Sequence, residues 1–144
     1  MTNDSDAEGT LYLDSSALVK LVTAEAESEA LAHVAGPALL LTSELALAEV
    51  PRAIRRSVAA QAERRRREAE RELERVLGGV AFVPLDRELL IQAGALEDAL
   101  LRTLDAIHLA AALSVAAQLG AFVTYDRRQA QAARQAGFTV LAPA

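Results

Sequence analysis

Short apolar runs alternate with amphipathic stretches along most of this chain. Thr10-Leu11-Tyr12-Leu13 ends in Asp14, and Ser15-Ser16 then opens the apolar-rich stretch to Val22, which predicts a strand, a polar cap and a helix. A second amphipathic helix is expected over Glu25 to Ala35, closed by Gly36-Pro37. Ala38-Leu39-Leu40-Leu41 predicts a strand apolar on both faces, as in a buried parallel sheet. Thr42-Ser43 is expected to cap a helix carrying Glu44, Leu45, Leu47, Glu49, Val50 and Ile54. Pro51 removes one hydrogen bond from that helix and predicts a kink just past Glu49.

From Arg52 to Arg75 the pattern becomes arginine and glutamate, with Arg64 to Arg67 consecutive. This reads as a long solvated helix or helix pair, closed by Gly78-Gly79. Val80 to Leu85 predicts a third strand, and Asp86 caps a helix from Arg87 to Leu101. Thr103 is expected to cap the next helix, which carries Leu104-Asp105-Ala106-Ile107-His108-Leu109-Ala110-Ala111-Ala112-Leu113 and ends at Gly120. Ala121 to Asp126 is a fourth strand, Arg127 to Gln135 a helix stopped by Gly137, and Phe138 to Leu141 a fifth strand. Residues 1 to 9 read as a disordered N-terminal lead, and 10 to 144 as a single domain.

Strands alternating with helices imply an α/β domain whose central parallel sheet of about five strands is flanked by helices. Right-handed crossovers then bring every strand's C-terminal end to one edge, where sites in open α/β sheets collect. Asp14 and Asp126 end strands there, and Glu49 and Asp105 lie near the starts of helices that begin there. Four carboxylates can therefore meet. The helix around Asp105 has almost no polar face and must be buried, so an acid at its opening needs a partner such as a shared cation.

Composition narrows the chemistry. The chain has no cysteine and two histidines, which excludes thiolate or histidine-dominated sites and fits a cytosolic protein. An oxygen-ligated cation, Mg2+ or Mn2+, is what remains. The formal net charge of −5 argues against a basic coat for gripping nucleic acid but leaves room for a local basic surface. No apolar run is long enough to span a membrane, and the acidic start Met1 to Glu8 lacks the features of a signal peptide. Divalent ions held by several carboxylates can activate water and stabilise an in-line displacement at phosphorus, chemistry that hydrolyses phosphodiesters without a nucleophilic side chain.

Each of these residues also has a plainer role. Asp14 and Asp126 can be helix caps, and Asp86 shows the same strand–Asp–helix grammar with no motif around it. Glu44 sits where a carboxylate merely complements a helix dipole. His108 lies one turn after Asp105; helix packing is the preferred reading over a general base, because a metal-activated water needs no imidazole. His33 reads as surface. Arg64 to Arg67 can grip RNA phosphates or simply form a solvated face. The apolar side of residues 45 to 58 is expected to contact a partner chain or an antitoxin rather than RNA.

Leu13-Asp14-Ser15-Ser16-Ala17-Leu18-Val19-Lys20, Glu49-Val50, Leu104-Asp105-Ala106-Ile107-His108-Leu109-Ala110 and Thr124-Tyr125-Asp126 together resemble the PIN domain, and more narrowly VapC-type toxins of bacterial toxin–antitoxin pairs. The resemblance runs from Thr10 to Ala144 with the motifs in order. It implies a PIN-like α/β/α sandwich and an Mg2+- or Mn2+-dependent endoribonuclease leaving a 5′-phosphate and a 3′-hydroxyl. It also implies a homodimer, inhibited by a small cognate antitoxin that often inserts an arginine near the carboxylates. Position by position, it makes Asp14 and Asp105 direct metal ligands, and Glu49 and Asp126 direct or water-mediated ones. Ser16 and Thr124 become supporting polar groups that orient the acids or their waters.

Three other function classes compete. A phospho-accepting receiver domain needs an acceptor Asp ending its third strand and a lysine ending its fifth, yet no lysine follows Lys20. A PIN fold that binds RNA or protein without cutting would usually have lost one of the acids. A nuclease of RNA maturation remains open beside the toxin, and an antitoxin reading frame immediately upstream would separate the two.

Overall fold

The computed structural model describes residues 9–144, so all of the expected N-terminal lead except Gly9 lies outside the described residues. Five strands form one parallel sheet in the order β3-β2-β1-β4-β5. They are β1 (Thr10–Leu13), β2 (Leu39–Ser43), β3 (Val80–Val83), β4 (Ala121–Val123) and β5 (Val140–Leu141). Between them run α1 (Ser15–Val22), α2 (Ser28–Ala35), α3 (Ala46–Val58), α4 (Glu63–Gly78), α5 (Arg87–Gly94), α6 (Thr103–Ser114) and α7 (Arg127–Gln135), with a 3-10 turn at Ala116–Gln118. The expected α/β/α sandwich is the observed one.

Strand alternation divides the core. Leu11, Leu13, Ala121 and Val123 face α1 to α4, packing with Leu18, Leu31, Val50, Ile54 and Val76. Tyr12 and Phe122, the intervening residues, face α5 to α7 with Leu89, Ile107, Leu109 and Ala133. Their rings stack at 5.0 Å between centroids. Ala106 to Ala112 are all buried, as an almost wholly apolar helix requires.

Several boundaries differ from the sequence expectation. Asp14, not Ser15 or Ser16, caps α1, because its carboxylate accepts from the Ala17 amide. Thr42 and Ser43 belong to β2; the Thr42 hydroxyl donates to the Leu13 carbonyl, and α3 starts after the turn at Glu44 and Leu45. The helix after Asp86 stops at Gly94, seven residues short of Leu101; the Ala95 amide closes its last turn on the Ile91 and Gln92 carbonyls, and Asp98 then builds a separate turn by accepting from the Leu100 amide. Arg102, rather than Thr103, is the cap position of α6, with Thr103 already helical. Asp86 caps α5 as expected, accepting from the Leu89 amide. Of the apolar side chains of α3, Ala46, Val50 and Ile54 are buried in the protein's own core, while Leu47 is exposed.

The order of the strands matters for the site. The chain steps from β1 outward through β2 to β3, then returns to place β4 on the other side of β1. This reversal opens a crevice beyond the carboxyl ends of β1 and β4, the switch point where α/β sheets bind ligands.

Candidate active site at the β1–β4 switch point

Asp14 leaves the end of β1 and is almost wholly buried, with a side chain held on three sides. Its Oδ1 accepts from the Ser16 hydroxyl at 2.6 Å and the Ala17 amide at 3.1 Å, and its Oδ2 from the Thr124 hydroxyl at 2.5 Å. Burial nevertheless pushes its carboxyl above the ordinary value, against the pull of those donors. A carboxylate has about four acceptor positions, so three donors leave one of them open.

Thr124 ties the two central strands together at this point. Besides donating to Asp14 it accepts from the Asp126 amide at 3.1 Å, so one hydroxyl fixes the side chain of Asp14 and the backbone of Asp126. Asp126 is exposed and caps α7, accepting from the Gln129 amide through Oδ1 and leaving Oδ2 free. Asp105 is half-buried in the first turn of α6, where the helix dipole favours an anion. Its carboxyl is pushed up, first by burial and then by the negative charges of Asp126, Asp14 and Glu49. The charges of the other three acids all reach Asp105. Among the described residues, no Lys or Arg forms an ion pair with Asp14, Asp105 or Asp126.

Glu49 reaches in from the first turn of α3. Its Oε1 accepts from the Ser15 hydroxyl at 2.6 Å and lies 2.7 Å from His108 Nε2. Burial opposes ionisation of Glu49, but the hydrogen bonds from His108 and Ser15 outweigh it and hold the carboxyl below its usual range. A carboxylate only accepts, so Nε2 carries the proton, and in the neutral ring Nδ1 then accepts from the Tyr12 hydroxyl at 2.8 Å. His108 is therefore buried, as a packing histidine would be, yet it is also the hydrogen-bond link between the sheet core and Glu49. The competing Glu44 points elsewhere and accepts from the Leu85 amide.

Two contributors escaped the sequence reading. Ser15 was assigned to capping, whereas its hydroxyl serves Glu49. Gln129 is fully buried, and its amide Nε2 donates to the Asp105 carbonyl at 3.0 Å while Oε1 has no partner. The signal lay in its position: Gln129 shares the buried face of α7 with Ala130, Ala132 and Ala133, where a polar residue is out of place. The arginine run is on α4, with Arg64 paired to Glu68 and Arg67 to Glu63, both along the exposed helix.

The PIN domain family profile matches residues 11–135. Ribonuclease VapC46 of Mycobacterium tuberculosis is 42% identical over 134 residues, covering 92% of this chain and 97% of that protein. The chain belongs to the PIN domain family, and within it to the VapC ribonucleases. Ribonuclease VapC47 of the same organism is 36% identical over 92% of this chain and 96% of its own length. Among solved structures, Mycobacterium tuberculosis VapC20, titled a sarcin–ricin loop cleaving toxin, superposes with a TM-score of 0.69. That match covers 92% of this chain and 99% of VapC20 at 18% identity, which supports the shared fold.

VapC nucleases of the PIN family are in general divalent-metal dependent. Among the described residues, no three Asp, Glu or His side chains are close enough as they stand to enclose an ion. The donor chemistry nevertheless fits one. One position of Asp14, the Asp105 carboxylate, Oε2 of Glu49 and Oδ2 of Asp126 are free of protein donors, and a cation would relieve the mutual repulsion that raises Asp105.

Proposed function

We propose that this VapC-family protein hydrolyses RNA phosphodiester bonds at the crevice formed by Asp14, Glu49, Asp105 and Asp126, using Mg2+ or Mn2+. The observation that carries the reading is the placement of Asp105, whose carboxyl feels the charges of the other three acids while no Lys or Arg among the described residues pairs with it. A divalent cation held there supplies activation of the attacking water and stabilisation of charge developing at phosphorus.

The chain's own residues do the positioning. Ser16, Thr124 and the Ala17 amide fix Asp14 in one orientation with one acceptor position turned outward. Ser15 and His108 hold Glu49 ionised and aimed by one oxygen, leaving the other for ligand. The Gln129 amide steadies the main chain of Asp105, and Thr124 that of Asp126. Asp14 and Asp105 act as direct ligands, and Glu49 and Asp126 as direct or water-mediated ones.

The wider setting follows from the family. The protein acts in the cytoplasm as a toxin that a small VapB-like antitoxin neutralises, and it forms a homodimer. No described helix is long and apolar enough to cross a membrane. Exposed Leu90, Ile91, Leu100 and Leu104 on and around α5 and α6 are apolar surface that a second copy would cover.

The test is cleavage of a mixed panel of structured RNAs with Mg2+, Mn2+ or EDTA, comparing the wild type with Asp14→Asn and Asp105→Asn. Cutting that requires the metal and disappears in both variants is expected. Cutting that survives EDTA or both substitutions would remove the carboxylates from the chemistry.

A further inference from the structure

A groove of about 720 Å³ runs away from the carboxylates between α1 and α3. Ser15, Ser16 and Glu49 line its mouth, and Arg52 and Arg56 line its wall. On α3 these two arginines follow Glu49 by three and seven residues, placing them on one face, about 4.5 and 10.5 Å farther along the axis. The opposite face of α3 is fixed in the core by Ala46, Val50 and Ile54, so the arginine face cannot rotate away. Ala48 and Ala53 stand between them in the groove and leave its floor open.

Among the basic residues that line this groove, charge pairing separates the two arginines from Lys20. Lys20, on the α1 wall, is bound by Glu25 at 2.6 Å and Glu27 at 3.1 Å, so its charge is locally neutralised. On α4, Arg64, Arg67 and Arg75 are each paired with a glutamate one turn away. Among the described residues, Arg52 and Arg56 form no ion pair. In a chain of net charge −5, two unneutralised guanidinium groups lead directly from the acidic mouth. Guanidinium forks match phosphate oxygens in pairs, and a polyanion entering an acidic site needs compensating positive charge beside it.

We propose that Arg52 and Arg56 form a phosphate-binding track that seats the RNA backbone on one side of the scissile bond. The proposal rests on the ribonuclease reading above and names where its substrate lies. The two arginines are one helical turn apart, about 6 Å of rise, and so engage successive non-scissile phosphates. Val19, Leu45 and Leu104 give the groove apolar walls against which sugar edges rest. Neither arginine touches Asp14, Asp105 or Asp126, so both act in binding.

The test is binding of a fluorescein-labelled single-stranded 12-nucleotide RNA of mixed sequence, in EDTA, across a salt series. Arg52→Ala, Arg56→Ala and the double variant are compared with Arg134→Ala, which removes the same charge from the far end of α7. Each groove variant is expected to bind roughly tenfold more weakly, and the double variant to lose about 1.4 from the slope of log K against log salt, at about 0.7 per phosphate contact. Arg52→Lys and Arg56→Lys should keep the slope while losing part of the affinity, and Arg134→Ala should match the wild type.

A wild-type slope in the double variant overturns the track. If that variant instead loses capture of the antitoxin while binding RNA normally, the groove is a protein site and the proposal also fails. Metal-dependent cleavage of total bacterial RNA by the wild type is measured in parallel. Cleavage with an unchanged slope sinks only the track, whereas absence of both cleavage and binding sinks the ribonuclease reading with it.

Discussion

Asp14→Asn should abolish cleavage and at the same time stabilise the metal-free protein. Asp14 is 3% exposed, and its burial raises its carboxyl above the ordinary value, so at neutral pH folding must carry an ionised group into a poorly solvated place. Asparagine keeps the shape and retains the acceptor for Ser16 and the Ala17 amide. Its amide nitrogen then faces the Thr124 hydroxyl, which has lone pairs for both that nitrogen and the Asp126 amide. Three charge-assisted hydrogen bonds become neutral ones, which offsets part of the gain. Replacing buried ionic groups with neutral ones of similar shape stabilises by about 1–4 kcal/mol, and the retained polar contacts put this case near the low end, about 1–2 kcal/mol. With unfolding entropy near 2.1 cal/mol/K per residue over 144 residues, Tm should rise by about 3–7 °C.

Two further readouts separate this origin from an incidental gain. A raised carboxyl means the folded state holds its proton more tightly than the unfolded one, so wild-type stability from this group is present below the unfolded pKa and is lost as pH rises through the folded one. The advantage of Asp14→Asn should therefore be greatest above the raised folded pKa and shrink as pH falls through it toward the unfolded one. Adding Mg2+ or Mn2+ should reverse the order, because a ligand of the folded state stabilises by RT ln(1 + [L]/Kd), about 2.7 kcal/mol at a hundredfold excess over Kd, and only the wild type should gain it. Thermal unfolding followed by circular dichroism, with and without metal, measures all three. A lower Tm for Asp14→Asn, a pH-independent gap, or equal metal stabilisation of both proteins would refute the reasoning.

Three other substitutions test neighbouring features. His108→Ala removes a fully packed ring and the acceptor of the buried Tyr12 hydroxyl, so urea unfolding should show a loss of about 2–4 kcal/mol, and adding Tyr12→Phe should recover up to about 1 kcal/mol by removing the unused donor. Asp86→Ala deletes the cap of α5 and should cost about 1 kcal/mol in the same assay while RNA cleavage is unchanged, since Asp86 touches none of the four acids. Gln129→Leu removes an unpaired buried oxygen along with the bond to the Asp105 carbonyl, so stability should stay within about 1 kcal/mol while kcat falls roughly tenfold.

Most of the fold was legible because its signals are local and agree with one another. Strand β1 reads from four apolar letters and an acid, and α6 from an unbroken apolar run that has to be buried. Errors gathered at helix ends, where the deciding partner is distant or where two residues compete for one task. Asp14, Ser15 and Ser16 all suit a cap; Asp14 takes it because the two serines find better acceptors in Glu49 and in Asp14 itself. The end of α5 was invisible because no proline marks it and Gly94 is itself still helical, while the turn that Asp98 builds lies beyond the helix.

The three strand–Asp–helix junctions show why the site itself was only partly legible. Asp14, Asp86 and Asp126 each accept from a backbone amide three residues on, so local grammar is identical in all three. What separates them is the order of strands in the sheet. Asp14 and Asp126 follow β1 and β4, which are neighbours at the reversal, whereas Asp86 follows β3 at the outer edge. A cap at a sheet edge has no reason to be anything else. The charges of both central caps reach Asp105, and the pressure that raises its carboxyl is what a polyvalent cation would relieve. His108 belongs to the same argument. Its spacing places it one turn from Asp105, but its partners Tyr12 and Glu49 arrive from β1 and α3, and only the assembled layers reveal that a residue of the core also sets the aim of an acid.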